Sequence, residues 1–244
     1  MRLPVFVVTT DALGHDEIEL AGDEGRHAVT VKRLRTGERL VVTDGLGTGA
    51  VCVVRATGRH STLVDVEDRL VEPAPQPRLV VVQAIPKGEH GERAVDLLTE
   101  VGADVIVPWA ASRNVVTWRG DRESKALARW RSTAHAAAKQ ARRLRFPEIT
   151  EVRRTDQVRA LVGDAALALV LHEDASLPIA EVDVPLSGDV VLVVGPEGGI
   201  TDDELSAMEM EGARAVRMGP TVLRSSSAGL AAAATLLSRT PRWP

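Results

Sequence analysis

The chain has 244 residues, 44% of them hydrophobic and 26% charged, with a formal net charge of −4; these values exclude a disordered chain, and the length suits one large or two ordinary domains with a real core. The negative balance excludes a protein that coats nucleic acid indiscriminately, while leaving local basic patches open. A single cysteine excludes an internal disulfide and a cysteine-based zinc site, and without an apolar run of about 18 residues or a signal-peptide pattern the expectation is a soluble, cytoplasmic protein with no membrane or metal partner.

Residues 1–70 predict a small all-β domain, a compact barrel. Leu3–Val8, Arg39–Asp44, Ala50–Arg55 and Thr62–Glu67 are short strand patterns separated by turn signals such as Asp44-Gly-Leu-Gly-Thr-Gly49. Asp23–Val31 is more helix-like, with Asp23 placed to cap it. Cys52, among Val51, Val53 and Val54, predicts a buried structural thiol. Residues 26–39 carry Arg26, Lys32, Arg33, Arg35 and Arg39 against Glu38 alone, a candidate electrostatic footprint for nucleic acid. Residues 71–78, with Pro73, Pro75 and Pro77, predict an extended linker.

From residue 79 to 244 strands and helices alternate, which predicts an α/β domain on a parallel sheet. The expected order is strand Leu79–Ala84, helix Gly91–Val101, strand Asp104–Pro108, helix Glu123–Arg143, helix Thr155–Val162 and strand Ala165–Leu171. Val190–Val194 is then apolar without alternation, as in a strand covered on both faces. It breaks into Gly195-Pro196-Glu197-Gly198-Gly199, a turn with backbone freedom and room for close approach. Thr201 with Glu204 reads as a capping box that starts the next helix. A turn at the carboxyl end of a strand in such a sheet is where ligands bind. The turn lacks the Lys-Ser/Thr of a P-loop and the spacing of G-x-G-x-x-G, and Glu197, Asp202 and Asp203 would repel a polyphosphate, so a neutral or cationic ligand is expected.

The logic repeats further on: strand Ala213–Met218, a Gly219-Pro220 turn, and Ser225-Ser226-Ser227 able to cap an Ala-rich helix from about Ala228 to Ser238. Gly195-Pro-Glu-Gly-Gly199 together with Met218-Gly219-Pro220-Thr221-Val222-Leu223-Arg224 resembles the SPOUT methyltransferases of the RsmE group. The resemblance runs through nearly the whole chain, including His27-Ala-Val, Arg33-Leu34-Arg35 with Gly37, Thr99-Glu100-Val-Gly102, Pro108, Ser112-Arg113 and Arg145-Phe-Pro147-Glu148-Ile149. It implies a PUA-like RNA-binding barrel followed by a SPOUT α/β domain with a trefoil knot. It further implies S-adenosylmethionine as cofactor, N3 of a uridine in 16S ribosomal RNA of the assembled small subunit as target, and a homodimer. The alternatives are a non-catalytic RNA-binding assembly factor of the same fold, or a SPOUT methyltransferase with another RNA target.

Carried onto this chain, the resemblance implies a cofactor site of Leu171, His172, Gly195, Pro196, Glu197, Gly198, Gly199, Met218, Gly219, Val222, Leu223 and Ser227. Arg224 is the candidate catalytic residue, because a guanidinium beside uracil stabilises the N3 anion and the charge on its carbonyl oxygens. Relatives often follow this arginine with Thr-Glu-Thr, whereas Ser226 stands here in the place of that Glu, and Asp96-Leu97 stands where they often show Gln-Lys. His15, His60, His90 and His135 read as surface or structural residues. Arg33, Arg35, Arg113, Arg142, Arg143 and Arg145 are the RNA-binding candidates, with Phe146 available to stack on a base. Leu230, Ala231, Ala234 and Leu237 of the last helix face either a partner subunit or the chain's own sheet.

Overall fold

The computed structural model describes residues 3–243; the expected outer domain limits at residues 1 and 244 lie outside that range. It divides into two compact units, the first built from the chain up to Ala74 with Ala138–Phe146, the second from Pro75–Ala137 and the chain from Pro147 on.

In the first unit β1 (Val5–Val7), β2 (Glu17–Leu20), α1 (Gly22–Arg26), β3 (Arg39–Thr43), β4 (Thr48–Thr57) and β5 (Thr62–Val71) follow in order. The sheet runs β1-β3-β4-β5-β2, with β1 parallel to β3 and the other ladders antiparallel. Alternate residues point inward, so Leu40 and Val42 of β3 and Ala50, Cys52 and Val54 of β4 share a core with Phe6, Leu20 and Val64. Among the described residues no ladder joins β1 to β2, so the expected barrel is open in its hydrogen bonding. Burial pushes the Cys52 thiol up to about 11, as suits a structural cysteine. The helix-like stretch divides into α1 and a π-turn at His27–Val31; Ala21 is the N-cap, and Asp23 pairs with Arg26 instead of capping. β2, absent from the strand patterns expected above, alternates cleanly as Glu-Ile-Glu-Leu.

The second unit contains β6 (Arg78–Ala84), α2 (His90–Val101), β7 (Val105–Ala110), α3 (Asp121–Ala141, its last residues belonging to the first unit), β8 (Glu148–Ile149), β9 (Arg153–Arg154), α4 (Thr155–Gly163), β10 (Leu167–Leu171), β11 (Asp189–Val194), α5 (Asp202–Met210), β12 (Arg214–Val216) and α6 (Ser225–Leu237). The order is β12-β10-β11-β6-β7-β8, with β9 also on β7, and every ladder is parallel. Period-two alternation sends Val81 and Leu192 to a core shared with α2, α3 and α6, and Val82 and Val193 to one shared with α4 and α5. Both faces are thus covered, which is why the strands read as unbroken apolar runs. Leu237 is buried in the chain's own core, with Leu230 and Ala234 packed against it. No helix among the described residues is long and apolar enough to cross a membrane.

Helix α6 starts at Ser225, three residues before the expected position, and its N-cap is Arg224 without a side-chain cap. The serines are otherwise engaged: Ser225 Oγ donates to the Gly195 carbonyl (2.9 Å) and accepts from Gln83 Nε2 (2.9 Å), while Ser227 Oγ donates back to the Arg224 carbonyl.

Residues 138–146 pack with the first unit. Thr43 Oγ1 and the Gly47 N–H donate to the Leu144 carbonyl, the Phe146 N–H donates to Gly45 O, and Lys139 pairs with Glu24. The segment therefore supplies an edge to the β-rich unit, though its basic run reads in sequence as the end of a helix of the other.

Candidate functional site

β10, β11 and β12 end at Leu171, Val194 and Val216, and beyond these carboxyl ends lies a cavity of about 830 Å³. The turn after β11 closes one side. Gly199 has φ of +76°, favourable only for glycine, and its N–H donates to Pro196 O (2.9 Å). A Cβ on Gly198 would lie 2.9 Å from the Arg113 carbonyl oxygen, and one on Gly195 would lie 2.7 Å from Ile200 Cγ1. The capping box is present: Thr201 Oγ1 accepts from the Glu204 N–H, and Glu204 Oε2 accepts from the Thr201 N–H. Burial alone would raise the Glu204 pKa, yet hydrogen bonds from Ser112, Thr201 and Thr155 outweigh it and hold the carboxyl below its ordinary value.

The turn after β12 forms the opposite wall, with Met218, Gly219, Val222, Leu223 and Arg224 all lining the cavity. The Arg224 guanidinium is exposed there and in no ion pair among the described residues. Ser225 bonds to Gly195 O and so ties one turn to the other. His172 lines the third side; its ring Nδ1 accepts from the Asp174 N–H (3.3 Å).

Of the twelve residues expected around a cofactor, eleven line this cavity; Ser227 does not, its hydroxyl being turned to the Arg224 carbonyl, and Ser225 and Ser226 line it instead. Arg113, expected on an RNA face, is on the cavity wall, with Nη1 3.4 Å from Gly198 O. His90, read in sequence as structural or surface, also lines it; its position at the start of α2 next to a strand end was the available signal. The other basic candidates belong to the first unit. Arg33, Arg35 and Arg142 are exposed. Arg143 Nε donates to Arg145 O, and Arg145 Nη2 donates to Glu72 O, so the latter guanidinium is partly committed to its own fold. Phe146, expected to stack on a base, is half-buried with its ring against Gly45.

The cavity's chemistry fits the implied cofactor. Glu173, Asp174, Glu197 and Asp202 line the cavity together with Arg113, Arg217 and Arg224, a mixed lining suited to a molecule carrying ammonium, sulfonium and carboxylate groups. The apolar strand ends Leu171, Val194 and Val216 offer an apolar floor for its adenosine.

A parallel α/β unit with such a site, preceded by a small β-rich unit, defines a class, and family models identify it: residues 72–237 match an RNA methyltransferase domain and residues 20–67 an RNA methyltransferase PUA domain. Ribosomal RNA small subunit methyltransferase E of Mycobacterium bovis is 46% identical over 91% of this chain and 86% of its own length, and that of Bacillus subtilis is 25% identical over 91% and 90%. A Legionella pneumophila structure with bound SAM superposes with a TM-score of 0.86 at 25% identity, covering 98% of this chain and 99% of that one. The Neisseria gonorrhoeae ribosomal RNA small subunit methyltransferase E, 23% identical over 97% and 98%, has the same fold with a TM-score of 0.84. The chain belongs to the ribosomal RNA small subunit methyltransferase E family.

Proposed function

We propose that the chain methylates N3 of a uridine in 16S ribosomal RNA of the assembled small subunit, using S-adenosylmethionine held between the two turns, and that it does so in the cytoplasm as a homodimer. The observation that carries this reading is the cavity at the carboxyl edge of β10, β11 and β12 with an uncommitted guanidinium, Arg224, on its wall. The two turns are proposed as the loops of a trefoil knot, and the first unit, with Arg33, Arg35 and Arg142 exposed, as an RNA grip.

When bound, the cofactor supplies a methyl group whose bond to sulfur breaks as the bond to N3 forms, the sulfur leaving as a neutral thioether. The chain must align donor and acceptor and exclude water. Arg224 offers its fork of N–H donors to the uracil oxygens on which negative charge develops as N3 loses its proton. No carboxylate stands at 225–227 to take that proton; the cavity groups able to accept one are His90, His172, Glu173, Asp174, Glu197 and Asp202.

The test is mass spectrometry of digested 16S RNA from cells lacking the gene: one N3-methyluridine disappears and returns on complementation. An unchanged N3-methyluridine signal, with loss of a ribose 2′-methyl or guanine N1-methyl mark, would replace this target with another. Light scattering at micromolar concentration gives twice the mass of one chain, and a monomer mass contradicts the dimer. Arg33→Ala with Arg35→Ala weakens methylation of small subunits and flattens its salt dependence, because fewer counterions are released, while cofactor affinity stays the same.

A further inference from the structure

Glu204 is only 4% exposed, and a capping box does not account for all of its contacts. Its carboxylate meets five donors. Oε1 accepts from the Ser112 N–H (2.9 Å), Ser112 Oγ (2.9 Å) and Thr155 Oγ1 (3.0 Å); Oε2 accepts from the Thr201 N–H (3.2 Å) and Thr201 Oγ1 (3.0 Å). Hydroxyls can rotate, but the two backbone N–H groups cannot, and one faces each oxygen. A glutamine could not replace the carboxylate: whichever way its amide turned, its NH2 would confront one of the fixed N–H donors.

Two of the three chain segments gathered here flank the glycine turn. Ser112 precedes Arg113, whose carbonyl oxygen and Cβ lie 2.9 and 3.1 Å from the place a Gly198 Cβ would take, and whose Nη1 is 3.4 Å from Gly198 O. Thr201 is the exit of the same turn. The carboxylate thus grips both the segment that backs the turn and the residue that ends it, and it stands outside the cavity lining itself.

We propose that Glu204 is a positioning residue for methyl-donor binding, acting through Ser112 and Thr201 to hold Arg113 against Gly198 and Gly199. The inference rests on the reading that S-adenosylmethionine occupies this cavity. Thr155 shares the same oxygen but is the first residue of α4, which is no part of the turn, and so provides the control.

The experiment is calorimetric titration of S-adenosylmethionine into the full-length wild type, Glu204→Gln, Thr155→Ala, Arg113→Ala, the Glu204→Gln/Arg113→Ala double variant and Gly199→Val, with folding followed by circular dichroism. Glu204→Gln raises Kd at least tenfold and Thr155→Ala changes it less than twofold. Arg113→Ala adds less than twofold on top of Glu204→Gln, although it weakens the wild type by more, since both changes disrupt one arrangement. A Glu204→Gln protein that melts earlier yet binds with wild-type affinity, while Gly199→Val does not bind, overturns the inference and leaves the site standing; additive Glu204 and Arg113 effects overturn it equally. Unchanged affinity in both Glu204→Gln and Gly199→Val removes the cofactor from this cavity and takes the inference with it. Should Glu204→Gln fail to fold, Ser112→Ala carries the test: it raises Kd at least threefold over Thr155→Ala, and equal values for the two reject the proposal.

Discussion

The turn after β11 is closed by its own chain, with Gly195 against Ile200, Gly198 against Arg113, and a buried carboxylate fixing its exit. The turn after β12 is open: nothing lies within 4 Å of a Cβ placed on Gly219, Val222 is 77% exposed, and no side chain caps the helix that follows. Both turns present Gly and Pro to the same cavity, yet only the first packs its glycines against its own chain. Preorganisation lowers the ordering cost of binding, so the first turn is suited to fixing the donor. The second, with Arg224 and two exposed apolar side chains at its tip, is suited to being completed by the acceptor or by a partner surface.

The largest expected effect falls on the closed turn. Gly198→Val forces a side chain onto the Arg113 carbonyl, and Gly199→Val puts a β-branched residue at a φ of +76°. Either change abolishes detectable binding of S-adenosylmethionine in calorimetry while circular dichroism shows a folded chain; full affinity in a folded Gly199→Val protein would erase the distinction between the turns. On the open turn, Arg224→Ala separates binding from chemistry. It lowers kcat about 100-fold or more, the scale for losing one donor to a developing oxyanion, and leaves cofactor affinity within about twofold. A proportional loss of both in single-turnover assays would place the guanidinium on the donor instead.

Much of this contrast was legible in the sequence, and the illegible part has physical causes. The unbroken Val190–Val194 run, the glycine turn and the Thr201/Glu204 box are local patterns, and each was found in place. The serine cluster misled because Ser225 spends its hydroxyl on Gln83 and Gly195, 142 and 30 residues away, contacts that no local pattern encodes. The same holds for the second and third segments on Glu204: a capping box is visible at spacing three, while bonds from Ser112 and Thr155 are products of the fold. Two-residue strands such as β8 and β9 carry too few side chains for periodicity, and the assignment of 138–146 to the first unit depends on backbone bonds to Gly45 and Gly47.

A smaller effect follows acidification. Because hydrogen bonds hold the folded-state Glu204 carboxyl below its ordinary value of 4.5, the ionised group contributes stability that is fully present above that value and is lost as the pH falls through the lower folded-state value. The gap in thermal midpoint between wild type and Glu204→Gln is therefore widest near neutrality and narrows below pH 4.5. A gap that stays constant into acid would mean that the closed turn does not depend on the charge.

The smallest expected effect is the converse of the valine substitutions. Gly219 occupies the position in its turn that invites comparison with Gly195, but the backbone there is not left-handed and a methyl group would meet no atom within 4 Å. If glycine at this site serves only a turn that adjusts on binding, Gly219→Ala changes stability by no more than about 0.5 kcal/mol, as for a surface substitution. It weakens the cofactor only by what one methyl displaces from the cavity, about fourfold at most on the scale of ~0.8 kcal/mol per added carbon. Gly195→Ala, by contrast, must move Ile200 and loses far more. Equal losses for the two alanines, measured by thermal melting and calorimetry side by side, would show that the second turn closes as tightly around its ligand as the first closes around itself.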